Sequence, residues 1–123
     1  MPWAGDEPSY AFGPGPAAWL PQPADWAALS RERQASDPGS MVELYRSALK
    51  LRRDLPSLGG GPLAWADGPP GVIAFHRGPG FTCVVNVGDD AVALDATGRI
   101  VLASGPLVSN GSLPGVTAVW LTS

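Results

Sequence analysis

The sequence predicts a mainly β chain: a small antiparallel β-sandwich preceded by one amphipathic helix and, before that, an irregular segment rich in Pro, Gly and Trp. Three observations carry this reading. After Gly59-Gly60-Gly61-Pro62 the apolar residues recur at a period of two; from Met41 to Leu55 they recur every three or four; from Met1 to about Ser36 they show no period. The chain therefore divides into residues 1–36, 37–58 and 59–123.

In the first segment Pro and Gly interrupt every apolar run, as in Pro14-Gly15-Pro16 and Pro21-Gln22-Pro23, so an extended, irregular path is expected. It nevertheless carries Trp3, Phe12, Trp19 and Trp26. Large aromatic groups each have about 150–250 Å² to bury, so a loop this aromatic expects a surface to lie on. Trp26 to Gln34 has the composition for one or two helical turns, with Asp25 as the cap.

The helix begins near Asp37 or Ser40 and ends before Pro56. Two start signals coincide: Asp37 as cap with Pro38 at the first helical position, and a capping box from Ser40 to Glu43. Met41, Leu44, Tyr45, Ala48, Leu51 and Leu55 form one apolar stripe, with Glu43, Arg46, Ser47, Lys50 and Arg53 on the other side. Pro56 ends the helix, because the residue before a proline is pushed out of the helical region. Lys50, Arg52 and Arg53 place positive charge against the negative end of the helix dipole.

The strands expected next are Pro62–Asp67 at an edge, Gly71–Arg77, Phe81–Val87, Ala91–Asp95, Arg99–Ser104 and Val116–Thr122. Turn residues separate them, among them Gly88-Asp89-Asp90, Thr97-Gly98 and Asn110-Gly111. Short strands at this spacing make a sandwich. Trp65 and Trp120 fall in strands, where core packing is the commoner role.

Composition removes several function classes. A net charge of −3 with scattered Lys and Arg offers no stripe for a phosphate backbone, so nucleic acid is not an expected partner. No stretch approaches the roughly 20 apolar residues that cross a bilayer, and no basic-then-apolar leader opens the chain, so a soluble, cytoplasmic protein without a membrane partner is expected. The single cysteine, Cys83, cannot form an internal disulfide and reads as a buried, reduced thiol.

No residue pattern marks a catalytic centre, and no metal site or cofactor is expected. Asp6, Glu7, Asp37, Asp67, Asp89, Asp90 and Asp95 lie in loops, caps or turns, where Asp serves local hydrogen bonding rather than glycosidic acid–base work. His76, the lone histidine, has no nucleophile or carboxylate at motif spacing. Gly59-Gly60-Gly61 lacks the Lys-Ser or Lys-Thr of a phosphate loop and reads as a linker. Asn110-Gly111-Ser112 matches a glycosylation acceptor but serves better as a turn. The five tryptophans leave a sugar-stacking patch open.

Met1-Pro2-Trp3 resembles the end of a motif deep inside the family 13 glycoside hydrolases that act as α-glucosidases, of the oligo-1,6-glucosidase and maltase type. Trp19-Leu20-Pro21, Gln34, Asp37-Pro38, Ser40, Tyr45, Leu51-Arg52-Arg53, Pro56 and Leu58 follow in that family's order and near its spacing. Arg31 departs from it, standing where the family often has a small or apolar residue. The resemblance implies a barrel-loop remnant (1–36), the last barrel helix (37–58) and the α-amylase-type C-terminal β-sandwich domain (59–123). It further implies a carbohydrate-metabolism enzyme that cleaves terminal α-glucosidic bonds with retention. The family's three catalytic carboxylates lie upstream of Met1, so the chain alone is expected to be an inactive fragment whose partner is the missing barrel. Trp3 and Phe12 are the positions it places nearest the substrate, an α-glucoside. Rival expectations are a stand-alone sandwich that binds carbohydrate, and an interaction module that docks its Pro-rich arm or apolar helix on a partner or self-associates through that helix.

Overall fold

A computed structural model of the chain describes residues 2–6, 8–94, 97–108 and 111–123. Met1, Glu7, Asp95 and Asn110, all named above, lie outside the described residues. Two compact units are present, Met1–Ser47 and Ala48–Ser123.

The first unit is built from turns and short helices. A left-handed turn at Pro8–Ala11 is followed by a 3-10 turn at Ala24–Ala27 and by α1, Arg31–Gln34. The helical stretch expected from Trp26 to Gln34 is thus broken, and its cap is Ser30 rather than Asp25. Ser30 is extended, and its Oγ accepts from the Arg33 N–H at 3.3 Å.

Helix α2 is Met41–Asp54 and crosses the division between the units. Of the two start signals, Ser40 prevails: its Oγ accepts from the Glu43 N–H at 3.3 Å and donates to the Gln34 carbonyl at 2.7 Å. The Gln34 side chain accepts from the Val42 N–H at 3.2 Å, satisfying a second first-turn donor. Asp37 instead closes a local turn, its carboxylate accepting from the Gly39 N–H at 2.9 Å. Pro56 ends α2 as expected, but also starts α3, Pro56–Gly59, where a missing N–H costs nothing. The stripe is only partly covered: Leu44, Ala48, Leu51 and Leu55 are half-buried, whereas Met41, Tyr45 and Leu49 are mostly exposed.

The second unit is a mainly antiparallel sandwich. Strands β1 (Leu63–Ala66), β2 (Val72–Arg77), β3 (Phe81–Asn86), β5 (Arg99–Ala103) and β7 (Thr117–Thr122) form one sheet in the order β1-β2-β3-β7-β5. Strands β4 (Val92–Ala93) and β6 (Ser112–Leu113) form a second. All pairs are antiparallel, and β1 takes the edge place expected of it. β6 was not foreseen, since Ser112–Leu113 holds one apolar residue and Pro114 follows it, leaving no alternation to read.

Cross-strand partners share a face, so the register sorts the sheet into two rows. Ala66, Ala74, Val84, Val119 and Ala103 run across one face, packed with Leu121, Val92, Leu94 and the fully buried Leu113 of the small sheet. Trp65, Phe75, Cys83 and Trp120 run across the other, where Leu55 and Leu58 pack against Phe81, Cys83 and their neighbours. Gly115, between β6 and β7, lies against the backbone of Gly88 and Asp89, where an added Cβ would clash with the Asp89 carbonyl oxygen. Trp120 packs edge-on against Phe81 at 5.6 Å, in line with expectation. Trp65 does not, being 73% exposed. Alternation fixes which face a strand residue occupies, not whether anything covers that face.

Candidate functional site

In the first unit, the segment from Pro2 to Asp6 is tied to α1 residue by residue. The Pro2 carbonyl accepts from the Arg31 N–H at 2.9 Å and the Trp3 carbonyl from the Glu32 N–H at 3.1 Å. With Ser30 capping Arg33, the first-turn donors of α1 are satisfied. In return the Glu32 carboxylate accepts from the Gly5 N–H at 3.1 Å, and Arg33 pairs with Asp6 at 3.2 Å. Arg31 fits this arrangement through its backbone, its side chain being exposed.

Beyond that anchor, Ser9, Tyr10 and Ala11 take left-handed backbone conformations, with φ of 54°, 49° and 58°. Each such non-glycine residue costs on the order of 1–2 kcal/mol, so surrounding bonds must impose the turn. They are present. The Tyr10 carbonyl accepts from the Trp3 N–H at 3.0 Å, and the Tyr10 hydroxyl donates to the Pro23 carbonyl at 3.0 Å. The Ser9 hydroxyl donates to the Gly15 carbonyl at 3.0 Å, and the Gln22 amide donates to the Ser9 carbonyl at 3.3 Å.

This turn delivers Phe12 to an aromatic cleft of about 630 Å³ lined by Phe12, Trp19, Leu20, Pro21, Gln22 and Trp26, among others. Phe12 and Trp26 stand 6.3 Å apart, ring centre to ring centre, and Trp19 is 99% exposed. Of the two positions expected near substrate, Phe12 lines the cleft. Trp3 is about half exposed and is not among its lining residues. The sequence offers Trp19 and Trp26 as two of five tryptophans that leave a sugar-stacking patch open; nothing local in sequence signals the left-handed turn that gathers them with Phe12. An apolar cleft with the Gln22 amide and the Ser9 hydroxyl at hand suits the C–H faces and hydroxyl edges of a sugar ring.

The second unit offers a cavity of about 290 Å³ against the sheet, with Ala66, Val72, Ala74, Val84 and Leu94 on its walls and Asp67, His76, Thr82 and Thr97 among its polar residues. The His76 Nδ1 lies 2.9 Å from the Thr82 hydroxyl, which occupies the imidazole with a neighbour on the next strand. Burial pushes the Cys83 thiol up from its ordinary range, with the Trp120 indole opposing this in part, so Cys83 is held as a neutral thiol. Among the described residues no group of three or more His, Cys, Asp or Glu could hold a metal ion. Among the same residues no helix is long and apolar enough to cross a membrane.

Five of the described carboxylates have a side-chain partner or backbone donor. Asp6 pairs with Arg33, Asp37 closes its turn, Glu32 holds Gly5, and Glu43 and Asp54 pair with Arg46 and Lys50 along α2. Asn86, unremarked in sequence, is the buried polar hub of the second unit. Its amide donates to the carbonyls of Asp90 (2.8 Å), Pro114 (3.1 Å) and Leu113 (3.2 Å), and its oxygen accepts from the Gly88 N–H at 3.0 Å.

The architecture, one main helix and a mainly antiparallel two-sheet domain, matches the C-terminal domain of α-amylase-family enzymes. Among the similar solved structures is the α-glucosyl transfer enzyme XgtA, at 28% identity and a TM-score of 0.73, with 100% of this chain aligned to 25% of that one. Trehalose-6-phosphate hydrolase from Bacillus licheniformis is similar at a TM-score of 0.76 and 13% identity, over 100% of this chain and 25% of its own. The α-amylase from H. orenii aligns with 98% of this chain and 27% of its own, at 20% identity and a TM-score of 0.65. The last two likenesses speak for the fold alone. No protein-family model and no curated protein sequence matches the chain. The chain spans about a quarter of the length of the solved structures it resembles.

Proposed function

We propose that this chain is the non-catalytic C-terminal portion of a glycoside hydrolase, an α-glucosidase of family 13 that hydrolyses terminal α-glucosidic bonds. The observation that carries this is the alignment of the whole chain, at 28% identity, with a quarter of an α-glucosyl transfer enzyme. Its role is to stabilise and flank the catalytic barrel, which supplies the carboxylates. Phe12 and, less directly, Trp3 then lie nearest the substrate, an α-glucoside. The cytoplasm is the proposed setting, in keeping with a single cysteine buried as a free thiol.

The size of the native product tests this. An antibody against the sandwich should detect a polypeptide several times larger than 12.7 kDa in a lysate of the source cells. A product of 12.7 kDa that co-purifies with no larger polypeptide would remove the reading. The aromatic cleft favours a second reading, a carbohydrate-binding module without catalysis. Saturable quenching of tryptophan fluorescence by maltose in the isolated chain supports it, and a flat titration removes it.

A further inference from the structure

The aromatic cleft of the first unit is braced open. Ser9, Tyr10 and Ala11 are consecutive left-handed residues that lead directly into Phe12, and strain of this kind clusters at ligand sites. The Tyr10 hydroxyl holds the Pro23 carbonyl and the Ser9 hydroxyl holds the Gly15 carbonyl, while Pro14, Pro16, Pro21 and Pro23 restrict the backbone between these bonds. A ligand entering a braced cleft need order little of the chain around it. At about 630 Å³ the space is of small-molecule size. Its walls include Trp19 and Leu20, 99% and 71% exposed, whose apolar surface an occupant would remove from water.

The walls also select among ligands. Among the described residues no charged side chain lines the cleft, so an ionised ligand would shed water there without a counter-charge. The Ser9 hydroxyl has one proton and gives it to Gly15, and the Gln22 amide already donates to the Ser9 carbonyl, which leaves few side-chain donors for the several hydroxyls of a sugar. Phe12 and Trp26 are tilted at 54° to one another, so they form a wedge and not a flat platform. A planar aromatic ring can stack on one wall and meet the other edge-on, the two arrangements that aromatic pairs prefer, whereas a sugar ring gains chiefly from the wall it lies on. We propose that the cleft is a binding site for a small, uncharged aromatic compound. This inference stands on the cleft alone and does not require the glycoside hydrolase reading.

The test follows the indole N–H signals of the five tryptophans by nuclear magnetic resonance in the isotopically labelled chain, titrated with benzyl alcohol, benzoate and maltose. Benzyl alcohol should move the Trp19 and Trp26 signals saturably, at a roughly tenfold lower concentration than maltose, while Trp65 and Trp120 in the second unit stay in place. Benzoate, the same ring with a charge, should bind severalfold more weakly than benzyl alcohol. Trp19→Ala, at a side chain almost wholly in water, should weaken benzyl alcohol binding severalfold, read at Trp26, with an unchanged Trp120 signal as the check on folding. Flat titrations at Trp19 and Trp26 overturn the proposal, as do shifts of Trp65 and Trp120 over the same concentrations or undiminished binding by the Trp19→Ala chain. Maltose saturating at an equal or lower concentration also overturns it, and leaves the carbohydrate-binding reading standing.

Discussion

In the unit of residues 1–47 the buried residues among those described are Pro2, Gly5, Ser30 and Ser40, whereas in that of residues 48–123 they include Phe81, Cys83, Val84, Leu113, Val119 and Leu121. The first is held by hydrogen bonds: Pro2 and Trp3 to α1, Tyr10 to Pro23, Gln34 and Ser40 to α2. The second is held by an apolar core between two sheets. A net hydrogen bond contributes about 1 kcal/mol, while one buried aliphatic side chain contributes about 1.5–3 kcal/mol. The sandwich can stabilise itself. The N-terminal unit leaves Trp19 bare and has three left-handed residues to maintain.

The difference can be broken at its strong side first. Leu113→Ala, at a side chain with no exposed surface, should cost about 2–5 kcal/mol in urea unfolding followed by far-ultraviolet circular dichroism. A cost below about 0.5 kcal/mol, the size of a surface change, would mean that the small sheet does not close the core. Asn86→Leu leaves the carbonyls of Asp90, Leu113 and Pro114 without their donor and should cost about 1–3 kcal/mol by the same assay.

Substitution in the N-terminal unit sharpens the contrast. Ser30→Ala removes the cap of α1 and should cost about 1 kcal/mol of local stability, read as faster exchange of the Arg33 amide while the Val119 amide is unaffected. The smallest effect is a pH dependence from Cys83. Its folded pKa is raised, so the stability it contributes is complete below the unfolded thiol value, near 8.5, and is lost as pH rises through the folded value. Unfolding midpoints should therefore fall on the alkaline side in the native sequence and fall less in Cys83→Ala; parallel pH curves would show that Cys83 contributes nothing.

The same contrast decided what was legible in sequence. Ile73, Phe75, Cys83 and Val85 announced their strands, because a half-buried strand writes its period into the chain. Asp37 and Ser40 marked the entry to α2, but choosing Ser40 over Asp37 required seeing which donors each could reach. β6 and α3 offered no pattern to read. At the candidate site Phe12 and Trp3 were named through resemblance alone, and the gathering of Phe12 with Trp19 and Trp26 depends on a left-handed turn at Ser9, Tyr10 and Ala11. None of those three residues favours that conformation intrinsically, so local sequence could not reveal it. Trp65 was misjudged because coverage of a sheet face is a property of what lies above it.

Native-state hydrogen exchange on the 123-residue chain alone tests the central claim, that the sandwich is self-sufficient and the N-terminal unit is not. The account predicts that the Val84 and Val119 amides exchange only through global unfolding, while the Glu32 and Gln34 amides exchange far faster through local opening. Glu32 and Gln34 amides as slow as those of Val84 and Val119 would contradict it, showing that the N-terminal unit is stable without any further surface to lie on.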